Sequence, residues 1–121
     1  EVRALRVNHG TGGMAYGYLF AYDALRAAYI PDILQASSEV RQAIQGLDLL
    51  ILGAHHYYET ADLWKRSSMD IVSALALIRE VEPARALLTH LSHTVDYQEI
   101  SAQLPQGVEL AYDTYSIEVK A

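Results

Sequence analysis

Two histidines follow an apolar run near residue 90, in the stretch Leu87-Leu88-Thr89-His90-Leu91-Ser92-His93. Residues 85–89 are typical of a strand that is buried on both faces. The pattern Asp96-x-x-Glu99 then predicts the start of a short helix, because these residue types form a capping box. His90 and His93 are therefore expected on the turn at the mouth of a buried strand, where active sites of layered α/β folds are found.

Two other polar side chains come directly after predicted strands. Residues 2–8 alternate apolar and basic side chains, and His9 follows them before a glycine-rich loop. Residues 25–30 predict another strand, and the proline at position 31 keeps the chain out of a helix, so Asp32 lies just past the strand end. Imidazole and carboxylate groups are ligands for divalent metals. Neighbouring strands can bring His9, Asp32 and His90 together, which predicts metal chemistry.

The hydrophobic pattern also predicts the elements that position these residues. Further strands are indicated at 15–22, 47–52, 107–112 and 115–119. Helices are expected to begin at Ser37 or Ser38, at Ser67 or Ser68, and after Asp96. The loop over 53–68 carries His55 and His56. Strands that alternate with helices in this order predict a layered α/β fold.

Composition limits the function further. A chain of 121 residues forms one domain at most, and the absence of cysteine excludes disulfides and thiolate metal sites. A net charge of -6 disfavours a nucleic-acid-binding face and favours small substrates. No apolar run approaches the ~20 residues of a membrane span, and no signal peptide is recognisable. We expect a cytoplasmic protein without a membrane partner.

Two common catalytic motifs do not fit. The run Gly10-Thr11-Gly12-Gly13 resembles a dinucleotide fingerprint, but that motif must open a helix, whereas residues 16–22 have the composition of a strand. No Gly-x-Ser-x-Gly nucleophile elbow occurs, so a serine hydrolase is not indicated.

A family resemblance covers nearly the whole chain. The matching pieces, in order, are His9-Gly10 before Tyr16-Gly17-Tyr18-Leu19, then Tyr29-Ile30-Pro31-Asp32, Leu47-Asp48-Leu49-Leu50-Ile51, Leu88-Thr89-His90-Leu91-Ser92-His93, and Leu104-Pro105-Gln106-Gly107-Val108-Glu109 continuing to Tyr112-Asp113. Together they resemble the C-terminal half of a metallo-β-lactamase-fold hydrolase. The similarity is strongest to the phosphoribosyl cyclic-phosphate phosphodiesterase branch of phosphonate utilisation.

The resemblance implies a fold and a metal site. The chain would be a single domain, residues 1–121, that forms half of an αββα sandwich, with a mixed sheet and helices on one face. His9 would bind one of two divalent ions, Zn or Mn, Asp32 would bridge both, His90 would complete the second, and His93 would face substrate. The family's His-x-His-x-Asp-His cluster has no counterpart in this sequence. Where many relatives carry a loop histidine that acts as an acid, this sequence has Ser68, and His56 or His55 is the candidate to replace it.

Three functional interpretations follow. In the first, the protein is a phosphodiesterase that acts on a small cyclic phosphate or a related phosphodiester through a hydroxide bound by two metal ions. The 121 residues alone would then lack most of the metal ligands and would be inactive. In the second, the chain is an inactive half-domain that associates with another copy of itself. In the third, it belongs to a nuclease of the same fold, which the acidic charge disfavours.

Overall fold

The computed structural model describes residues 1–120 as one mixed sheet with three helices. The strands are β1 Val2–Asn8, β2 Met14–Tyr22, β3 Leu25–Ile30, β4 Leu49–Gly53, β5 Arg85–Thr89 and β6 Val108–Leu110. The helices are α1 Ser38–Ala43, α2 Ile71–Val81 and α3 Tyr97–Gln103, and single 3₁₀ turns form at Gly10–Gly12 and Leu63–Lys65. None of the helices in this part of the chain is long and apolar enough to cross a bilayer.

The strands follow one another in the sheet in sequence order. The pairs β1–β2 and β2–β3 are antiparallel, whereas β3–β4, β4–β5 and β5–β6 are parallel. Because two antiparallel steps restore the direction, β1 points the same way as β3, β4 and β5. The C-terminal ends of these four strands therefore lie at the same edge of the sheet, and the residues that follow them are neighbours.

One face of the sheet carries the core. Side chains alternate along each strand, so Ile30, Leu50, Leu52 and Leu88 point to one side, where they are fully buried together with apolar residues of the helices. In α2 the buried positions recur at helical spacing, with Ile71 and Ala74 among them. The helices thus cover one face of the mixed sheet, as the resemblance implied.

The opposite face, which we call the open face, is rich in exposed aromatic residues. They are Tyr16, Tyr18, Phe20, Tyr22 and Tyr29. The segment after β6 lies against part of this face, since the Tyr115 hydroxyl donates to Glu109 of β6 and Val119 lines the same depression as Phe20 and Leu25. The open face is therefore a partly covered apolar surface, and no helix of residues 1–120 lies on it.

One predicted helix start and one predicted strand are wrong. The long helix does not begin at Ser67 or Ser68, because Met69 is held in the adjoining loop by bonds to Ile33 and His55, and Asp70 is the cap instead. Residues 115–119 do not form a strand. They keep the predicted alternation, with Ile117 and Val119 half-buried, but pair with no other strand.

Candidate metal centre and its adjoining loop

Three predicted site residues meet at the common edge of the sheet. Asp32 Oδ1 lies 3.3 Å from Nδ1 of His90 and 4.0 Å from Nε2 of His9. Each residue follows the end of a strand, β3, β5 and β1 respectively. The two imidazoles therefore approach one carboxylate oxygen from separate strands.

The backbone around His9 fixes the direction of its ring. The Asn8 side chain accepts from the Gly10 N–H and supports the 3₁₀ turn that follows. Gly12 lies so close to the imidazole that a Cβ atom at this position would overlap the His9 ring. The Nδ1 atom of His9 is buried and has no hydrogen-bond partner among the described residues. The other nitrogen, Nε2, is the one that faces Asp32.

Asp32 and His90 are placed by unusual backbone contacts. Gly53, at the end of β4, allows the Pro31 carbonyl to approach, because a Cβ atom on residue 53 would collide with that oxygen. His90 has a φ of 62°, in the left-handed region that non-glycine residues seldom occupy. This conformation ends β5 and turns the chain sharply where its imidazole meets Asp32, and strain of this kind is common at functional sites.

The donor types fit part of a divalent metal site. Two imidazoles and a carboxylate are ligands that Zn²⁺ and Mn²⁺ accept, and the carboxylate can serve two ions. Within residues 1–120, however, no three side chains of metal-binding type are arranged to enclose an ion. The oxygen of Asp32 that both imidazoles approach agrees with a ligand role, but the count of donors falls short of a complete site.

The loop after β4 brings two more histidines to this edge. His55 Nδ1 lies 3.3 Å from the His90 carbonyl oxygen. His56 Nδ1 lies 3.1 Å from Thr94 Oγ1, whose hydroxyl donates to Ser92. The tautomer of His56 decides whether its Nδ1 donates to Thr94 or accepts from it, and Nε2 is the ring nitrogen left for a second partner. This nitrogen lies 3.8 Å from a carboxylate oxygen of Glu59.

A buried carboxylate holds the same loop in place. Asp70 accepts from the Ser73 N–H at 2.8 Å, which caps α2, and from the Glu59 N–H at 2.9 Å. Burial alone would raise the pKa of Asp70, but the two N–H donors and the nearby Arg66 outweigh it and hold the pKa below its usual value of 3.8. Asp70 is therefore an anion that ties Glu59 to the first turn of α2.

The remaining predicted site residues lie apart from the Asp32 carboxylate. His56 and Ser68 line the same cavity of about 130 Å³, so His56 stands beside the serine that it was expected to replace. His93 is exposed on the turn after β5, and no hydrogen bond or ion pair of its side chain occurs within residues 1–120. Sequence reasoning missed Thr94, Glu59 and Asp70. Only Asp70 gave a signal, as a cap residue directly before the periodic run of α2.

Comparison with known proteins places this geometry in context. A family model described as the β-lactamase superfamily domain matches residues 1–91. A solved structure of a diphosphatase from the PhnP family is 25% identical, with a TM-score of 0.84, and the match covers 98% of this chain and 43% of that one. Among curated protein sequences, none is significantly similar to this chain.

Two further solved structures share the fold. The short form of human tRNase Z is 20% identical with a TM-score of 0.76, and the match covers 99% of this chain and 42% of that one. Zn²⁺-bound PqqB from Methylobacterium extorquens is 18% identical with a TM-score of 0.73, with coverage of 97% and 46%. The 121 residues thus span less than half the length of these three structures.

Proposed function

Because the chain belongs to the β-lactamase superfamily, we propose that it is the C-terminal part of a metal-dependent hydrolase that cleaves a small cyclic phosphate or a related phosphodiester. The observation that carries the proposal is the approach of His9 and His90 to one oxygen of Asp32. The similarity to a PhnP-family diphosphatase favours a phosphate substrate.

His9, Asp32 and His90 would act as metal ligands in this hydrolase. Zn²⁺ or Mn²⁺ ions, when bound, supply Lewis-acid stabilisation of phosphoryl charge and lower the pKa of water. The left-handed backbone at His90 and the close approach of Gly53 to Pro31 fix two of the three ligands in position. Ligands from outside the described residues would complete the coordination of each ion.

His56 would hold the proton that the leaving group needs. Its Nδ1 pairs with Thr94 Oγ1, and its Nε2 lies beside the Glu59 carboxylate. Glu59 lines the cavity that His56 shares with Ser68. Serine cannot act as a general acid near neutral pH, and the neighbouring imidazole can. His93, on the exposed turn after β5, would contact substrate from the rim.

The test is an Asp32→Ala substitution in the full-length enzyme with bis(p-nitrophenyl) phosphate as substrate. Losing a carboxylate that would hold the metal should lower turnover by about 10³-fold or more while the circular dichroism spectrum stays unchanged. The matched control is Glu118→Ala, which removes an exposed carboxylate from the segment after β6. Near-normal hydrolysis by the Asp32 variant would refute the ligand assignment.

A second candidate function is self-association without catalysis. The open face favours it, because a contiguous aromatic surface of this kind marks an interaction site in soluble proteins. Another copy of the chain, or the rest of a larger domain, would then cover Tyr16, Tyr18 and Phe20. The two candidates differ in one observable, since only the hydrolase loses activity when Asp32 is replaced.

A further inference from the structure

His55, in the loop after β4, is bonded to the turn that carries His90. The Ala54 N–H donates to the Thr89 carbonyl at 2.9 Å, and the Ser92 N–H donates to the His55 carbonyl at 2.8 Å. Between these two backbone bonds, Nδ1 of the His55 ring lies 3.3 Å from the His90 carbonyl oxygen. The loop therefore contacts the residue before His90, His90 itself and the second residue after it.

The contact between the His55 ring and His90 has only one possible donor. A carbonyl oxygen accepts a hydrogen bond and cannot donate one, so His55 must carry a proton on Nδ1 to make this bond. The imidazoles that approach Asp32 within residues 1–120 are those of His9 and His90. His55 thus reaches the candidate metal centre through the backbone of His90 and not through the Asp32 carboxylate.

The backbone of His90 needs support of this kind. Its φ of 62° lies in the left-handed region, where the strain on a residue with a Cβ atom is of the same order as one or two intramolecular hydrogen bonds. The same backbone directs the His90 imidazole, whose Nδ1 lies 3.3 Å from Asp32 Oδ1. Losing the bond from His55 would let His90 relax towards the extended region, and its imidazole would then move away from Asp32.

A second line of hydrogen bonds ties His55 to the segment that carries Asp32. The His55 N–H donates to the Met69 carbonyl at 3.0 Å, and the Met69 N–H donates at 2.9 Å to the carbonyl of Ile33, the residue directly after Asp32. Met69 and Ile33 are buried, and hydrogen bonds are stronger where water is excluded. Asp32 and His90 lie after different strands, and both are held relative to His55.

We propose that His55 is a positioning residue, which fixes the left-handed backbone of His90 and through it the distance between the His90 imidazole and Asp32. The proposal rests on the proposed function for the role of His90 as a metal ligand, whereas the bond and the backbone conformation are features of the protein without a metal. It gives the two loop histidines different roles, since His56 would hold a proton and His55 would hold a ligand in place.

Three substitutions separate the hydrogen bond from the rest of the His55 side chain. His55→Asn places an amide N–H where the Nδ1–H of the ring lies. His55→Gln places the same group at the position of Nε2, on the far side of the ring, and His55→Leu has no donor. If the bond to His90 matters, the Asn variant should resemble the wild type, and the Gln and Leu variants should resemble each other.

The first experiment is nuclear magnetic resonance of the full-length protein with labelled histidines and without metal. Long-range proton–nitrogen correlations should place a proton on Nδ1 of His55. At a φ of 62° the amide and α hydrogens of His90 nearly eclipse each other, so they should give a strong intraresidue nuclear Overhauser effect. This effect should persist in His55→Asn and weaken in His55→Gln and His55→Leu.

The second experiment measures the metal affinity and the kinetics of the full-length enzyme. Competition with a chelator should show that His55→Gln and His55→Leu weaken Zn²⁺ binding by about 10-fold, whereas His55→Asn should stay close to the wild type. With bis(p-nitrophenyl) phosphate at a Zn²⁺ concentration below saturation, kcat of the Gln and Leu variants should fall. Their KM should stay the same, because His55 acts on a metal ligand and not on the substrate.

Three results would overturn the positioning role. They are a proton on Nε2 of His55 with none on Nδ1, an Overhauser effect at His90 that is unchanged in His55→Leu, and equal losses in all three variants. The last result would assign His55 to packing alone. If His55→Leu does not fold, the comparison of His55→Asn with His55→Gln decides the question.

The outcomes also separate this proposal from the hydrolase proposal. Hydrolysis that is lost in Asp32→Ala but unchanged in every His55 variant would leave the hydrolase standing and remove the positioning role. Near-normal hydrolysis by Asp32→Ala, together with a weakened Overhauser effect at His90 in His55→Leu, would refute the ligand assignment and leave the support of the His90 backbone by His55 standing.

Discussion

Asp70 offers the sharpest test of how the loop after β4 is held. Its two carboxylate oxygens accept from different N–H groups, one at the start of α2 and one at Glu59 in the loop. Asp70→Ala removes both bonds and leaves two N–H groups without this partner. Asp70→Asn keeps one acceptor oxygen and places an NH₂ group against the second N–H, so it should lose about half as much.

The expected loss follows from the two bonds. Removing a helix N-cap costs about 1 kcal/mol, within a range of roughly 0.5–2, and leaving the partly buried Glu59 N–H without a partner costs up to about 1–3 kcal/mol. We therefore expect Asp70→Ala to lower the free energy of unfolding by about 2–4 kcal/mol. Ser37→Ala is the control, because Ser37 caps α1 through a single bond to Val40 and should cost only the first amount.

Urea unfolding followed by circular dichroism measures these differences, and their pH dependence tests the charge. The pKa of Asp70 is lowered in the folded chain, so its contribution is complete above about pH 4 and is lost as the pH falls below 3.8 through the folded value. The difference between the wild-type chain and Asp70→Asn should shrink over that range. A loss no larger than that of Ser37→Ala, or a difference that does not change with pH, would refute the reasoning.

Three further predictions concern the metal, the sheet edge and the open face. Calorimetry of this chain with Zn²⁺ should show a Kd of about 10⁻⁴ M or weaker, since a stable site takes at least three protein ligands and His9, Asp32 and His90 would give each of two ions only two; submicromolar binding would contradict the ligand assignment. Gly53→Ala should lower the unfolding free energy by about 1–3 kcal/mol because its Cβ meets the Pro31 carbonyl, and a urea midpoint equal to wild type would exclude that contact. Sedimentation should show self-association that Tyr18→Glu weakens, and a monodisperse monomer of 13.4 kDa at high micromolar concentration would argue against it.

The parts of the site that lie at strand ends were predictable from sequence. Strands stop where proline and glycine stop them, so His9 and Asp32 could be placed without knowledge of the tertiary structure. The fully apolar run before His90 likewise marked a strand buried on both faces. The sequence predicted that neighbouring strands bring these ends together and the resemblance implied a mixed sheet, but neither specified the parallel pairing of β3, β4 and β5 that aligns the ends before Asp32 and His90.

The parts that sequence reasoning missed depend on contacts between distant segments. The start of α2 shifted to Asp70 because Met69 is bonded to Ile33, which no local pattern reveals. The pairing of His56 with Thr94 joins two loops that are far apart in the chain. Residues 115–119 keep the alternation of apolar and polar side chains that predicted a strand, although no strand of the described residues pairs with them. Burial of one side of an extended segment is enough to produce that alternation.

The parallel alignment of β3, β4 and β5 also has a kinetic consequence. Asp32 and His90 meet only after the chain between them has closed into two crossover connections, and long-range closures of this kind are slow steps in folding. The ligands should therefore come together with the last stages of sheet assembly, in one cooperative event. Amide hydrogen exchange in β4, the strand between them, should be among the slowest in the chain. Asp32 and His90 should then stay together under any condition in which the central sheet stays folded.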